Sequence, residues 1–350
     1  MRALPLALLL LLCVACPALA DAAIIHVVRP GETLASIADR YYGNPGRENV
    51  LVAENGLTSE GGSSIVVGLR LVIPTVSYHS VSKGETWAQL AKDFYGEPRR
   101  AFTLIEANES ASGEQPDEGA ELLVPYPLRH VSGQNQTLRH VAKGYFGDND
   151  GLTTLRRFNG LKGIRLQRGQ ILLVPLSDLK LSEEGRAIAQ AQGAQPPGGE
   201  VRELQARIND KLPALRAHVR GGRYTDAVAM ANRLIGGGNL TGNQIVTIER
   251  ELGTALVALG REDLARRAFA AMFKQQPDVE LDLARTSPKV KRVFAAARAV
   301  PKEAEPPPPT DVAPAEQASA KDAPKKKAPK RKPSKKSKKK RKKKSKKKKK

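Results

Sequence analysis

RPGETLASIADRYYG, residues 29–43, returns as SKGETWAQLAKDFYG at 82–96 and again as GQNQTLRHVAKGYFG at 133–147. A pattern repeated at a near-constant interval describes architecture, because each copy then has to be one supersecondary unit. His26, His79 and His130 open the copies at intervals of 53 and 51 residues, and Thr33, Thr86 and Thr137 keep the same intervals. Tyr42-Gly43, Tyr95-Gly96 and Phe146-Gly147 stay in step. The copies end alike, on GLRLVIP (68–74), GAELLVP (119–125) and GQILLVP (169–175).

One copy can be read from its local chemistry. His26-Val27-Val28 is a β-prone run stopped by the turn pair Pro30-Gly31. Thr33 then stands where a helix N-cap hydroxyl belongs. Leu34, Ile37, Ala38 and Tyr41 follow at i, i+3, i+4 and i+7, one helix face. The same face recurs as Trp87, Leu90, Ala91, Phe94 and as Leu138, Val141, Ala142, Tyr145. In the second copy Thr86 and Gln89 have the spacing of a capping box. Gly43 closes the first helix, Val50 to Glu54 form a second ended by Asn55-Gly56, and Leu71-Val72-Ile73 is a strand that Pro74 stops. The order is β-α-α-β in about 50 residues, a size that buries little surface on its own.

This pattern resembles the LysM family of small βααβ carbohydrate-binding modules. The matching residues are Gly31-Glu32-Thr33-Leu34, Tyr42-Gly43, Asn55-Gly56-Leu57, Gly68 and Leu71-Val72-Ile73-Pro74, with Gly84-Glu85-Thr86-Trp87, Asn108 and Gly119 in the second copy. The third offers Thr137-Leu138, Asn159-Gly160-Leu161 and Gly169. It departs from the pattern at Asn135-Gln136-Thr137, and the second departs at Asn108-Glu109-Ser110. The resemblance covers residues 26–176 and divides them into modules at 26–75, 78–126 and 129–176. It implies recognition of glycans containing N-acetylglucosamine, peptidoglycan in bacteria, in a groove between the first strand–helix loop and the loop after the second helix.

The candidate contacts that follow are Gly31, Glu32, Thr33 and Leu34 with Asn55, Gly56 and Leu57. In the second copy they are Gly84, Glu85, Thr86 and Trp87 with Asn108, and in the third Thr137 and Leu138 with Asn159, Gly160 and Leu161. Glycine lets backbone amides approach an acetamido group, Thr and Asn supply hydrogen bonds, and Leu34, Trp87 or Leu138 offers apolar cover. The plainer reading of each residue stands beside this one: Thr33 a cap, Leu34 and Trp87 core, Asn-Gly a turn. The third copy is the one expected to keep the fold without the ligand. Three shallow sites on short tethers such as Thr75 to Ser77 would raise effective concentration along a polymer, with avidity gains of roughly 10²–10⁴.

Residues 177–200, with QGAQPPGGE at 192–200, read as a linker. Helical periodicity fills 201–300: Val201, Leu204, Ile208 and Leu215 in a helix interrupted at Pro213, then Tyr224 to Ile235 ended by Gly236-Gly237-Gly238. Residues 246–279 resemble one tetratricopeptide repeat through Leu252-Gly253, Leu256, Gly260, Ala265, Phe269 and Pro277, with Met272 where a small residue is usual. Ser287-Pro288 reads as a cap and first-turn proline for a last helix. That resemblance implies a protein-interaction surface; a small helical bundle that spaces or dimerises the protein is the alternative. The fold class expected is thus three α+β modules, an all-α tetratricopeptide-like domain, and a tail.

The formal charge of +22 is concentrated: residues 325–350 hold 20 Lys or Arg and no acid, leaving about +2 for the other 324 residues. Residues 301–350 begin in Pro306 to Pro309 and are expected to be disordered, a polycation for anionic lipid, acidic envelope polymer or extracellular nucleic acid. The tail has no aromatic residue for base stacking. At the other end, residues 1–20 carry one cation, an apolar run from Leu4 to Val14 and a small-x-small close at Ala18-Leu19-Ala20. They read as a secretory signal, with lipoprotein processing at Cys16 as the alternative. Export to a bacterial periplasm or envelope follows, and both cysteines, Cys13 and Cys16, lie in this segment.

No catalytic set is legible. His26, His79 and His130 hold one equivalent position in separate copies and cannot converge on a metal, while His140 and His218 stand apart. No H-E-x-x-H or G-x-S-x-G run occurs. The expectation is a non-enzymatic glycan binder without cofactor, the alternative a peptidoglycan hydrolase or its activator with a site in the helical part.

Overall fold

Three separate two-stranded antiparallel sheets, each closing over a pair of helices, make up the N-terminal half of the computed structural model. The structure describes residues 23–57, 65–111, 113–147, 151–194, 198–282 and 286–299. The expected signal segment 1–20 and tail 301–350 lie outside them. The first unit runs β1 (Ile24–Val27), α1 (Leu34–Tyr42), α2 (Glu48–Glu54), β2 (Arg70–Ile73). The second is β3 (Ser77–Ser80), α3 (Trp87–Tyr95), α4 (Ala101–Ala107), β4 (Glu121–Val124). The third is β5 (Tyr126–Val131), α5 (Leu138–Phe146), α6 (Gly151–Phe158), β6 (Ile171–Leu176). Strand ends face each other in each: Ile24 opposite Ile73, Ser77 opposite Val124, Tyr126 opposite Leu176. In the third, the strand continues through Pro175, which faces Pro127. A two-stranded sheet has only edge strands, so neither proline breaks a ladder on its outer side.

The helix caps correct two local expectations. Thr33 and Thr137 form reciprocal capping boxes with Ser36 and His140, whereas Thr86 caps alone. Gln89 turns instead to the Asp93 carboxylate, at 3.0 and 3.1 Å, because a charged acceptor one helical turn on outcompetes a backbone N–H. In α3 the buried aromatic is Tyr95, and Phe94 is 38% exposed. Tyr41 and Tyr145 anchor their rings by hydroxyl contacts to His26 and His130 Nδ1, at 3.2 and 3.0 Å. Phe94 has no hydroxyl and meets His79 only edge-on.

The units are not beads on tethers. Val50 of α2 and Val76 share one buried cluster with Leu123 of the second unit and Leu128, Leu138 and Leu155 of the third. Phe158 of α6 enters the core of the second unit, edge-on to Tyr95 and Phe102. The Thr75–Ser77 tether is itself packed: Val76 is 1% exposed and its N–H donates to Leu179 O at 3.1 Å. Nor is 177–200 a linker throughout. Within it α7 (Glu183–Ala191) lies on α1, with Ser182 N–H donating to Tyr41 O at 2.8 Å and Leu181, Ala189 and Ala194 completing the first unit's core. The apolar positions are spaced within a small, polar stretch, so composition alone concealed the helix.

Five helices follow: α8 (Glu200–Arg220), α9 (Tyr224–Gly236), α10 (Gly242–Ala258), α11 (Glu262–Gln275) and α12 (Pro288–Arg298). Each packs on its chain neighbour, and α10 also touches α8 and α12. Pro213 does not interrupt α8. It sits on the exposed side, while Leu212 and Leu215 on either side of it are held in the core. Packing there overrides the lost backbone bond. Among the described residues no helix is long and apolar enough to cross a membrane.

The second unit is clamped to these helices by two carboxylates at helix N-termini. Glu121 accepts from the N–H groups of Gly199 and Arg202, at 2.9 and 2.8 Å, and so caps α8, whose own N-cap is a glycine. Asp117 accepts from Asn243 N–H at the start of α10, at 3.1 Å, and burial pushes its carboxyl above the usual range. Buried Gln205 bridges Gly119 O, Asn239 O and Glu121 N–H.

Within α10, burial pushes the Glu249 carboxyl up to about 7 from an ordinary value of 4.5. The folded chain therefore holds a proton that the unfolded chain releases near 4.5. Stability from this group declines as pH rises between those two values and stays low above them. Glu249→Gln is expected to raise the melting temperature at pH 8, corresponding to about 1–2 kcal/mol, and to leave it nearly unchanged at pH 4. Thermal melts across pH 4–8 check this, and equal shifts at both ends would refute it.

Candidate functional site

Each unit places two loops beside one another, the turn that enters its first helix and the turn that leaves its second. The first turn is built around an acidic or amide side chain. Glu32 accepts from Arg29 N–H at 2.8 Å, bonds His26 Nε2 at 2.8 Å and pairs with Arg40. Burial works against its charge, but the bonds from Arg29, Arg40 and His26 outweigh it and hold the carboxyl down to about 2. Glu85 repeats this with His79 and Ser82 N–H, both at 2.8 Å. Gln136 repeats it in the third unit with His130 and Gly133 N–H, both at 2.9 Å. The Asn135-Gln136 departure therefore preserves the turn: the glutamine oxygen replaces a carboxylate oxygen. Asn135 takes the left-handed φ of 58° where Gly31 and Gly84 have 82° and 81°, which asparagine tolerates.

Among the candidate contacts, Glu32 and Glu85 are thus turn-building residues, Glu32 through both carboxylate oxygens and Glu85 through Oε2. Thr33, Thr86 and Thr137 are caps, accepting from Ser36, Gln89 and His140 N–H at 3.1, 3.3 and 3.4 Å. Leu34, Trp87 and Leu138 are core, at most 4% exposed. Trp87 also donates its indole N–H to Glu114 O at 2.9 Å.

The second loop depends on an asparagine in every unit. Asn55 Nδ2 donates to Leu51 O and Val72 O, both at 2.9 Å, while its Oδ1 accepts from Val72 N–H at 2.7 Å. Asn108 does the same with Leu104 and Leu123, and Asn159 with Leu155 and Leu173. These amides tie the end of the second helix to the closing strand and are not free for a ligand. The next residue is left-handed: Gly56 at 61°, Glu109 at 53° and Gly160 at 64°. Leu57, Ser110 and Leu161 then donate backbone N–H groups back to Val52, Ile105 and Arg156, at 2.9, 3.1 and 2.9 Å. A glutamate held left-handed costs roughly 1 kcal/mol. Glu109→Gly is accordingly expected to stabilise the protein by about 0.5–1 kcal/mol in denaturant melts; a loss of stability would show that the Glu109 side chain does something this geometry omits.

What differs among the units is the surroundings of these loops. In the first, Thr33, Leu34, Gly56 and Leu57 open onto a pocket of about 730 Å³ whose far side is made by the third unit, from Val131, Gln136, His140 and Gly144. Arg47 and Asn49 of the first unit fix this wall by donating to Tyr145 O and Gly144 O, at 2.6 and 2.7 Å. In the second, Trp87 and Asn108–Ser110 border a hollow of about 480 Å³ against α8 and α10, and Arg202 donates to Asn108 Oδ1. In the third, the two loops are bonded to each other: Leu138 N–H donates to Ile164 O at 2.8 Å, and Thr137 bridges Arg165. Val131, His140 and Gly144 were not among the sequence candidates, because a repeat pattern encodes contacts inside a copy and none between copies.

The arrangement offers backbone amides, hydroxyls and small apolar patches in a shallow recess, which suits binding of a neutral polar ligand. Among the described residues no group of His, Cys, Asp or Glu is placed to hold a metal ion.

Residues 26–74 match the family model of the LysM domain. The chain therefore contains a LysM domain in its N-terminal α+β region, with a helical region after it, and LysM domains generally bind N-acetylglucosamine-containing glycans such as peptidoglycan. Two curated proteins of Mycobacterium tuberculosis, Esterase Rv1288 of strain H37Rv and Esterase MT1326 of strain CDC 1551, are each 28% identical to it over 151 residues. That similarity covers 43% of this chain and 32% of each esterase, so the chain spans about a third of the length of these relatives. No solved structure matches it.

Proposed function

We propose that this chain is an exported, non-enzymatic envelope protein that holds N-acetylglucosamine-containing glycan, peptidoglycan in the first place. The observation that carries the reading is the LysM match at 26–74, in which the two loops of that domain meet at a pocket. The second and third βααβ units are LysM-like by their common turn, cap and asparagine bridge. The helical region is tetratricopeptide-like. In support, Gly253 lies so close to Phe269 that a Cβ there would come within 2.5 Å of the ring, as tight packing of a helix pair requires, and α10 touches both α8 and α12. Its role in this reading is to engage a protein partner. The lysine-rich tail adheres to a polyanion, and residues 1–20 direct export.

The test is cosedimentation of the full-length protein with purified insoluble peptidoglycan in 1 M salt, alongside a form lacking residues 325–350. Both are expected to pellet. Loss of pelleting on removing the tail would mean that charge, not the cleft, holds the wall. The esterase names favour one second reading, a wall hydrolase or its activator. Clearing of a turbid wall suspension by the purified protein would establish it, and none is expected.

A further inference from the structure

We infer that the three copies supply one glycan site per chain, a composite recess in which the loops of the first unit form one wall and the outer face of the third unit forms the other. The inference rests on the glycan-binding reading above and goes beyond it in placing, counting and completing the site. The copies share a backbone design but have different neighbours. In the third unit the two cleft loops are bonded to each other and flanked by the second unit: Ile164 O takes the Leu138 N–H, and the Arg99 guanidinium of the second unit lies where a Cβ on Gly160 would come within 2.8 Å of it. In the second unit the loops serve the joint to the helices, since Arg202 donates to Asn108 and Asp117 caps α10. Glu109 there also puts a charged side chain at the place where Gly56 and Gly160 leave bare backbone for a sugar to approach.

The first unit's loops open onto a recess that its own packing has prepared. Val50 is buried in the third unit's core cluster, and Arg47 and Asn49 bond carbonyls of α5, so the two walls are held at a fixed separation before any ligand arrives. Such preorganisation lowers the ordering cost of binding. The chemistry of the walls fits an N-acetylated hexosamine chain. Leu57 and Val131 (61% exposed) provide apolar cover for an acetyl methyl. The Gln136 amide keeps N–H donors because His130 and Gly133 occupy only its oxygen. Exposed His140, on the first turn of α5, adds a ring nitrogen at the rim. On this arrangement the third unit gives up its own cleft and contributes its outer face to another.

Calorimetric titration of the full chain with chitohexaose tests the site count and the second wall together. One site per chain is expected. Gly144 lies on the exposed side of α5 with open space around its Cβ position, so Gly144→Trp is expected to narrow the recess and weaken binding roughly tenfold or more. His140→Ala, which leaves the cap oxygen of Thr137 in place, is expected to weaken it roughly threefold, and it serves as the readout if the tryptophan variant does not fold. Two or three equivalent sites, or unchanged affinity in the folded variants, would overturn the composite site while leaving glycan binding standing. Absence of any binding by the wild-type chain would overturn both.

Discussion

Asn159→Ala is expected to lower the unfolding free energy by about 2–3 kcal/mol, roughly 1 kcal/mol for each hydrogen bond lost. The side chain donates to Leu155 O and Leu173 O at 2.9 and 2.8 Å and accepts from Leu173 N–H at 2.8 Å, joining α6 to β6. Leu155 O keeps the backbone N–H of residue 159, at 3.1 Å, so the loss falls mainly on Leu173, whose N–H and carbonyl both lose their side-chain partner. Because the third unit shares its core with Val50 and Val76 of the first and Leu123 of the second, the loss should be felt by all three, as one early transition in a chemical melt. Asn159→Asp is expected to be at least as damaging, since it turns a charged oxygen toward carbonyl oxygens. An alanine variant as stable as the wild type would mean that the bridge is dispensable and would return Asn159 to the candidate ligand contacts.

The second large effect belongs to the helical region. Gly253 on α10 is buried against Phe269 on α11, and a Cβ at 253 would come within 2.5 Å of Cε1 and 2.8 Å of Cδ1 of that ring. Phe269 is itself fully buried and edge-on to Phe294, so it has little room to retreat. Gly253→Ala gains about 1 kcal/mol of helix propensity, but the overpacking costs about 1–3 kcal/mol, and a net loss is expected. Gly253→Leu is expected to cost about 3 kcal/mol or more, enough to separate α10 from α11. Circular dichroism melts check both; a leucine variant with wild-type stability would show that the helices are not packed as tightly as this contact requires.

How much of this was legible in the sequence divides along one physical line. Elements inside a copy were readable because their signals are local. The Thr caps, the left-handed glycines and the i, i+3, i+4, i+7 apolar faces each act over a few residues, and β1, α1, α2 and β2 fall where those signals put them. The roles of single residues were harder to read. Glu32, Asn55 and Leu34 have the chemistry of ligand contacts, and only the distances to His26, Val72 and the core show that they are already engaged. Contacts between copies left no local trace. Phe158 of the third unit carries no sequence signal of a partner, yet it fills the second unit's core. Gly185 reads as linker composition, yet a Cβ there would come within 2.7 Å of Tyr41 O, so α7 has to lie against α1. That packing replaces the picture of three tethered, independent sites with a single body.

The central claim is that the loops of the first unit hold an amino sugar, and amide chemical-shift mapping of the full chain with chitohexaose tests it most directly. The backbone amides of Thr33, Leu34, Gly56 and Leu57 are expected to move on titration, together with those of Val131, His140 and Gly144 across the recess. Spectra of a folded protein in which these signals stay fixed at saturating oligosaccharide would contradict it.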